Sequence, residues 1–216
     1  MRTDITVILD RSGSMQATRD DAMHGFNALV EDQKTAAGEA WLSLVQFDDQ
    51  YETHYTETPM RAVPALTPAT YVPRGSTALL DAIGRTIDAI GQRLSARSDR
   101  DRPDKVIVVT ITDGQENAST HFTGAAISEK IAQQRDIYKW EFIFVGSNQD
   151  AIMSAAHMNI PAAHALSFVG SGPGTRAAYR AVADSLAGLR SGHAGGFTDE
   201  QRAEAMDDTP SATSKA

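Results

Sequence analysis

The sequence predicts a three-layer α/β domain: a mostly parallel sheet between helices, with one antiparallel strand at its edge. Three observations predict it. Short apolar runs rich in β-branched residues alternate with longer segments of helical periodicity, as in parallel strands joined by crossover helices. Two of those runs, residues 5–9 and 106–111, lack polar alternation, as expected of strands covered on both faces. One turn-forming cluster, Asp48-Asp49-Gln50, joins two strand-like stretches as a hairpin.

The first strand, Ile5 to Leu9, runs directly into Asp10. Met23, Phe26, Leu29 and Val30 recur at helical spacing, which places a helix over residues 17–35. Residues 41–47 form the second strand. Residues 51–58, with alternating polar positions, form the third at a sheet edge. Pro59, Pro64, Pro68 and Pro73 punctuate an irregular crossing segment. Leu79, Leu80, Ile83, Ile87, Ile90 and Leu94 then give the clearest helical stripe. Gly84 and Gly91, on nearly the same side, are expected to let that helix approach the sheet closely. A charged loop at 99–104 precedes residues 106–111, the run best suited to the sheet centre. A helix over 123–138, a strand at 142–145, a short helix at 149–158, a strand at 165–169 and a helix at 174–189 complete a doubly wound, Rossmann-like order over residues 1–190. Residues 191–216 turn Gly-, Ala- and acid-rich. Thr198 and Gln201 fit a capping box opening a brief helix, and the rest is expected to be a flexible acidic tail.

Composition excludes several functions. The 216 residues are 41% hydrophobic and 22% charged, within the range of globular domains. A net charge of −8 opposes non-specific nucleic-acid binding, which needs clustered cations. No apolar run approaches the ~20 residues that span a bilayer, so no membrane partner is expected. Met1-Arg2-Thr3-Asp4 enters the first strand without room for a signal peptide, and there are no cysteines. A cytoplasmic setting is the expectation.

The chemistry lies in loops that follow strands. Asp10, Ser12 and Ser14 offer hard oxygen ligands, which suit Mg²⁺ or Ca²⁺ and suit zinc poorly. In an open parallel sheet, ligands bind beyond the carboxyl ends of the strands. Asp113 closes the apolar strand, and Gly114 after it lets the chain turn away. Thr77 precedes the amphipathic helix and can reach the same edge. Asp10, Ser12, Ser14, Thr77 and Asp113 are the candidate metal ligands.

This pattern resembles the von Willebrand factor A domain family and its metal-ion-dependent adhesion site, or MIDAS. The family signature is Asp-x-Ser-x-Ser after the first strand, a Thr in a second loop and an Asp in a third; here Asp10, Ser12 and Ser14, Thr77 and Asp113 match it. The strand–helix order fits over about residues 3–189, and residues 74–83 are similar to bacterial members. The resemblance implies that Ser12 and Ser14 bind the ion directly, and Thr77 directly or through water. Asp10 and Asp113 would bind directly or through waters and orient the hydroxyls. The implied ion is Mg²⁺, with Mn²⁺ or Ca²⁺ as compatible substitutes. An ion held largely by neutral hydroxyls is left undercompensated, so a Glu or Asp of a partner protein is expected to complete its shell. Family members also suggest an ATPase or a stress-response assembly as the setting.

The expected function is a metal-dependent protein–protein interaction module without catalysis. The alternative is a Mg²⁺-dependent phosphohydrolase of haloacid dehalogenase type. That chemistry needs a second Asp, as general acid, where this chain has Ser12. A third reading, an anion binder using Gly170-Ser171-Gly172-Pro173-Gly174-Thr175, lacks the P-loop ending and the dinucleotide spacing; the loop is taken as a connection. Asp48 is taken as a hairpin turn residue, Gln115, Glu116 and Asn117 as a solvated loop, and Asp20 and Asp21 as an exposed helix face. His24, His54, His121, His157, His164 and His193 show no paired spacing, and Trp41 and Trp140 are assigned to packing.

Overall fold

The computed structural model describes residues 1–147 and 151–209. Its strands are β1 (Arg2–Asp10), β2 (Glu39–Phe47), β3 (Tyr51–Pro59), β4 (Lys105–Thr112), β5 (Glu141–Gly146) and β6 (Ala165–Ser167). They form one sheet in the order β3-β2-β1-β4-β5-β6. Every neighbouring pair is parallel except β2 with β3, which makes β3 the antiparallel edge. The order reverses between β1 and β4, and in such sheets that switch point is where ligands bind.

Side-chain alternation along β1 supplies both faces. Ile5, Val7 and Leu9 pack into one core with α1 (Arg19–Thr35) and α5 (Gly172–Arg190). Ile8 packs into the other, with Val106 and Val108 of β4, α2 (Leu79–Ser95), α3 (Gly124–Tyr138) and α4 (Ala151–His157). The stripe of α2 is buried at Leu79, Ile83, Ile87, Ile90 and Leu94. Each such fully buried side chain contributes about 1.5–3 kcal/mol, so the stripe anchors the helix whose entry carries Thr77. None of the described helices is long and apolar enough to cross a membrane.

Most boundaries shift by a few residues, for local reasons. α1 begins at Arg19 because a 3₁₀ turn, Gly13–Gln16, follows the first loop. α5 begins at Gly172, where the Ser171 hydroxyl accepts from Gly174 N–H and Pro173 sits in the first turn. β6 ends at Ser167, and Val169 N–H donates instead to Ala205 O. Gln149 and Asp150 of the expected short helix lie outside the described residues.

Two expectations need correction. Gly84 makes room for the Phe122 ring, 2.6 Å from where a Cβ would stand, and not for the sheet; Gly91 faces open space. The segment after Leu189 is packed on the body around Phe197 and Ala205, while residues 191–194 and 207–209 are exposed. The Thr198–Gln201 capping box opens α6 (Asp199–Ala205), Phe197 and Ala205 are buried, and Arg202 donates to Ala162 O and Ala165 O. The expected tail at 210–216 lies outside the described residues.

Candidate metal-binding rim

Asp10 is the last residue of β1 and is fully buried. Its carboxylate is held by neutral donors: Ser12 N–H at 2.6 Å on Oδ1 and the Thr112 hydroxyl at 2.5 Å on Oδ2. The Tyr71 hydroxyl anchors the backbone beneath by donating to Asp10 O at 2.7 Å. Ser12 and Ser14 project from the loop that follows, with their Oγ atoms 3.0 Å apart. Ser14 Oγ donates to Asp113 Oδ1 at 2.5 Å, across ninety-nine residues of chain. Asp113 follows the last residue of β4, so the switch point puts the two carboxylate loops side by side.

Thr77 joins from the entry to α2. Its hydroxyl stands 2.8 Å from the position a Cβ on Gly114 would take, and Ser14 Oγ stands 3.5 Å from it. Gly114 is therefore required by close approach: any side chain would push Thr77 off the rim. Ser12 and Thr77 are buried, Asp113 is half-buried and Ser14 is exposed, so the cluster opens to solvent at one side. The structure thus brings all five expected residues to one place.

Electrostatics distinguish this cluster from an ordinary turn. Burial pushes the Asp10 carboxyl up to about 6; the Thr112 and Ser12 hydrogen bonds oppose that shift, and the neighbouring Asp113 adds to it. Burial also raises Asp113, with the Ser14 hydroxyl opposing. The nearby guanidinium groups point elsewhere: Arg11 to Asp48 and Glu52, and Arg74 to Asp48. Among the described residues no cation faces these carboxylates, one buried and one half-buried; with the three hydroxyls beside them they are a hard donor set that fits a divalent ion. Among the described residues, no group of three or more His, Cys, Asp or Glu is gathered for a metal. With one oxygen from each, two carboxylates and three hydroxyls would give such an ion at most five oxygen donors, short of octahedral coordination.

The residues that brace the rim were underread from sequence. Asp48 is more than a hairpin turn residue. It is buried, with Arg11 Nε at 3.1 Å, Arg74 Nε at 2.8 Å and Gln50 N–H at 2.6 Å. Burial works against its charge, but the Arg74 and Gln50 hydrogen bonds and the Arg11 charge win, holding its carboxyl below the usual range. Glu116 and Asn117 are not a free solvated loop. Asn117 Oδ1 accepts from Thr77 N–H at 2.9 Å, and Glu116 accepts from Leu80 N–H, Ala118 N–H and both donors of Ser119. Asp81 ties α2 to the next turn by accepting from the N–H groups of Thr120, His121 and Phe122. Nothing local in the sequence marks these struts, because their partners stand far along the chain. The glycine loop at 170–174 stays a connection. Ser171 caps the helix, and Asp21 pairs with Arg176 at 2.8 Å beside it, which disfavours an anion there.

A family model described as von Willebrand factor type A domain matches residues 5–115, more than half of the chain. Proximal thread matrix protein 1 from the mussel byssus superposes with a TM-score of 0.59 at 15% identity, over 86% of this chain and 46% of that one. A von Willebrand factor type A protein from Catenulispora acidiphila gives 0.58 at 15% identity, over 87% and 43%. A structure of the mussel protein with a zinc-occupied MIDAS motif gives 0.58 at 16%, over 86% and 46%. The chain spans less than half the length of these proteins, and at such identity they attest the fold alone. No curated protein matches. The mostly parallel sheet with its antiparallel edge and the family match over β1 to the end of β4 agree: this chain belongs to the von Willebrand factor type A domain family.

Proposed function

We propose that this rim holds a divalent cation, Mg²⁺ by donor chemistry, and that the protein is an interaction module whose partner supplies a Glu or Asp carboxylate to the ion. The observation that carries the reading is Asp10: a fully buried carboxylate at the switch point, raised toward neutrality and, among the described residues, held by neutral donors only. A cation relieves that cost, as paired or metal-bound charges do in interiors. Ser12, Ser14, Thr77, Asp10 and Asp113 are the residues that would hold it. The zinc-occupied motif in the mussel protein supports a divalent ion on this fold. When bound, the ion supplies a positive charge that attracts an external carboxylate.

In this reading the protein is not an enzyme. Position 12, where a phosphohydrolase of haloacid dehalogenase type needs its general acid, is a serine whose N–H is engaged with Asp10. Neither the geometry nor the family match lends that alternative support. A cytoplasmic setting beside an ATPase or a stress-response assembly belongs to the same proposal.

The test is calorimetric titration of Mg²⁺ and Mn²⁺ into the wild type and the Ser12→Ala/Ser14→Ala variant. The wild type should bind and gain about 2.7 kcal/mol of stability at a hundredfold excess over Kd, while the variant should do neither. Equal heats in both proteins would remove the site.

A further inference from the structure

We propose that a groove beside the rim receives a large apolar side chain from the same partner segment whose carboxylate reaches the ion. This rests on the carboxylate reading above and adds a second determinant to it. A cavity of about 400 Å³ is lined by Leu80, Gly114, Phe144, Met153, His157 and Met158, among others. Gly114 belongs to both places: it follows the candidate ligand Asp113, and a Cβ on it would stand beside the Thr77 and Ser14 hydroxyls. The groove therefore starts about 3.8 Å along the backbone from a metal ligand.

The chemistry of the walls selects the occupant. Met153 lines the groove and is 60% exposed, so α4 presents an apolar side chain there that nothing covers among the described residues. Exposed methionine is adaptable and recurs on surfaces that accept varied apolar partners. Glu116 also lines the groove, but both of its oxygens are taken by Leu80, Ala118 and Ser119. It offers no free charge to attract a basic side chain. Residues 210–216, Pro-Ser-Ala-Thr-Ser-Lys-Ala, contain neither a carboxylate side chain nor a large apolar one, so this stretch does not fit. An extended peptide advances about 3.3–3.6 Å per residue. The recognised segment is thus a Glu or Asp with a Leu-like residue within three positions of it.

The test uses protein labelled with ¹³C at the methionine methyls and seven-residue glycine peptides in saturating Mg²⁺. One series carries a central Glu and a single Leu at one to three positions on either side; controls replace Leu by Gly, or Glu by Gln. The best Leu register should bind about tenfold more tightly than its Gly control, the size expected for partial burial of one leucine. The methyls of Met153 and Met158 should shift on binding. Met60, which follows the end of β3 at the opposite end of the sheet, should not. Met153→Ser should narrow the gap between Leu and Gly peptides. If Glu peptides bind in a Mg²⁺-dependent way but Leu adds nothing and Met153 and Met158 stay still, the groove assignment is overturned and the metal reading stands. If no peptide shows dependence on both Glu and Mg²⁺, the metal reading fails and the groove's role falls with it.

Discussion

β1 carries a buried aspartate near each end, and the two are handled in opposite ways. Asp4, at the amino end, is 1% exposed, and its Oδ2 meets Arg93 of α2 at 2.5 Å. Asp10, at the carboxyl end, is 0% exposed and among the described residues meets only neutral donors, with another carboxylate, Asp113, close by. Burial raises both carboxyls; at Asp4 the Arg93 charge and hydrogen bond oppose it. The strand, the depth and the residue type are the same. One end is closed by the protein's own cation, and the other is left for a cation from outside. A buried charge that is paired is tolerated by the fold and costly only when its partner is removed, whereas one left unpaired beside further oxygen donors marks a candidate site.

Removing the internal cation should produce the largest effect. Arg93→Met leaves Asp4 buried without its partner and should cost about 3–5 kcal/mol in urea denaturation. Adding Asp4→Asn should recover much of that loss, because no unpaired charge remains. A cost below about 1 kcal/mol would mean that the two ends do not differ in the way described.

The next effect is a pH dependence with a definite sign. In metal-free protein the folded state holds the Asp10 proton up to about pH 6, whereas the unfolded chain releases it near 3.8. This contribution to stability is therefore complete below about pH 4 and is lost as pH rises through 6, amounting to up to about 3 kcal/mol. Asp113, also raised, adds the same sign. Asp48 and Asp81, held below the usual range, act oppositely and lose their contribution as pH falls. The difference between wild type and Asp10→Asn isolates the term: the variant should lose the decline between pH 4 and 6 and match or exceed the wild type above pH 6. Parallel stability curves for the two proteins would contradict this.

A smaller effect sharpens how Asp10 is aimed. Thr112→Val removes the hydroxyl on Asp10 Oδ2 while keeping the shape of a buried side chain. Mg²⁺ affinity should fall about 10–100-fold, the usual loss when an outer partner of a metal ligand is removed, with the fold retained. Calorimetry alongside circular dichroism reads both quantities. Unchanged affinity would show that Thr112 does not position the carboxylate.

Much of the fold was legible because it rests on local pattern. The continuous apolar runs at β1 and β4 marked the two central strands, and the Leu79–Leu94 stripe marked α2, since burial on two faces or on one leaves different periodicities. The five candidate ligands were legible for a related reason: each sits at the end of an element whose direction the pattern already set. The bracing residues were not. Nothing local separates Asp48, with its two arginines, from a turn residue, or Glu116 and Asn117 from a solvated loop. Their partners stand at distant positions such as Arg11, Thr77 and Leu80.

The sequence by itself determined the order of elements, the edge hairpin and the placement of hydroxyls and carboxylates at strand ends, because side-chain periodicity and turn chemistry act over a few residues. Only the tertiary structure decided which charges meet. It paired Asp4 with Arg93 and turned Arg11 toward Asp48, leaving Asp10 and Asp113 beside each other without a cation among the described residues. It also packed the segment around Phe197 and Ala205 against the body and opened an apolar groove beside Gly114. Pairing and burial depend on distances between residues far apart in the chain, and those distances exist only once the sheet has formed.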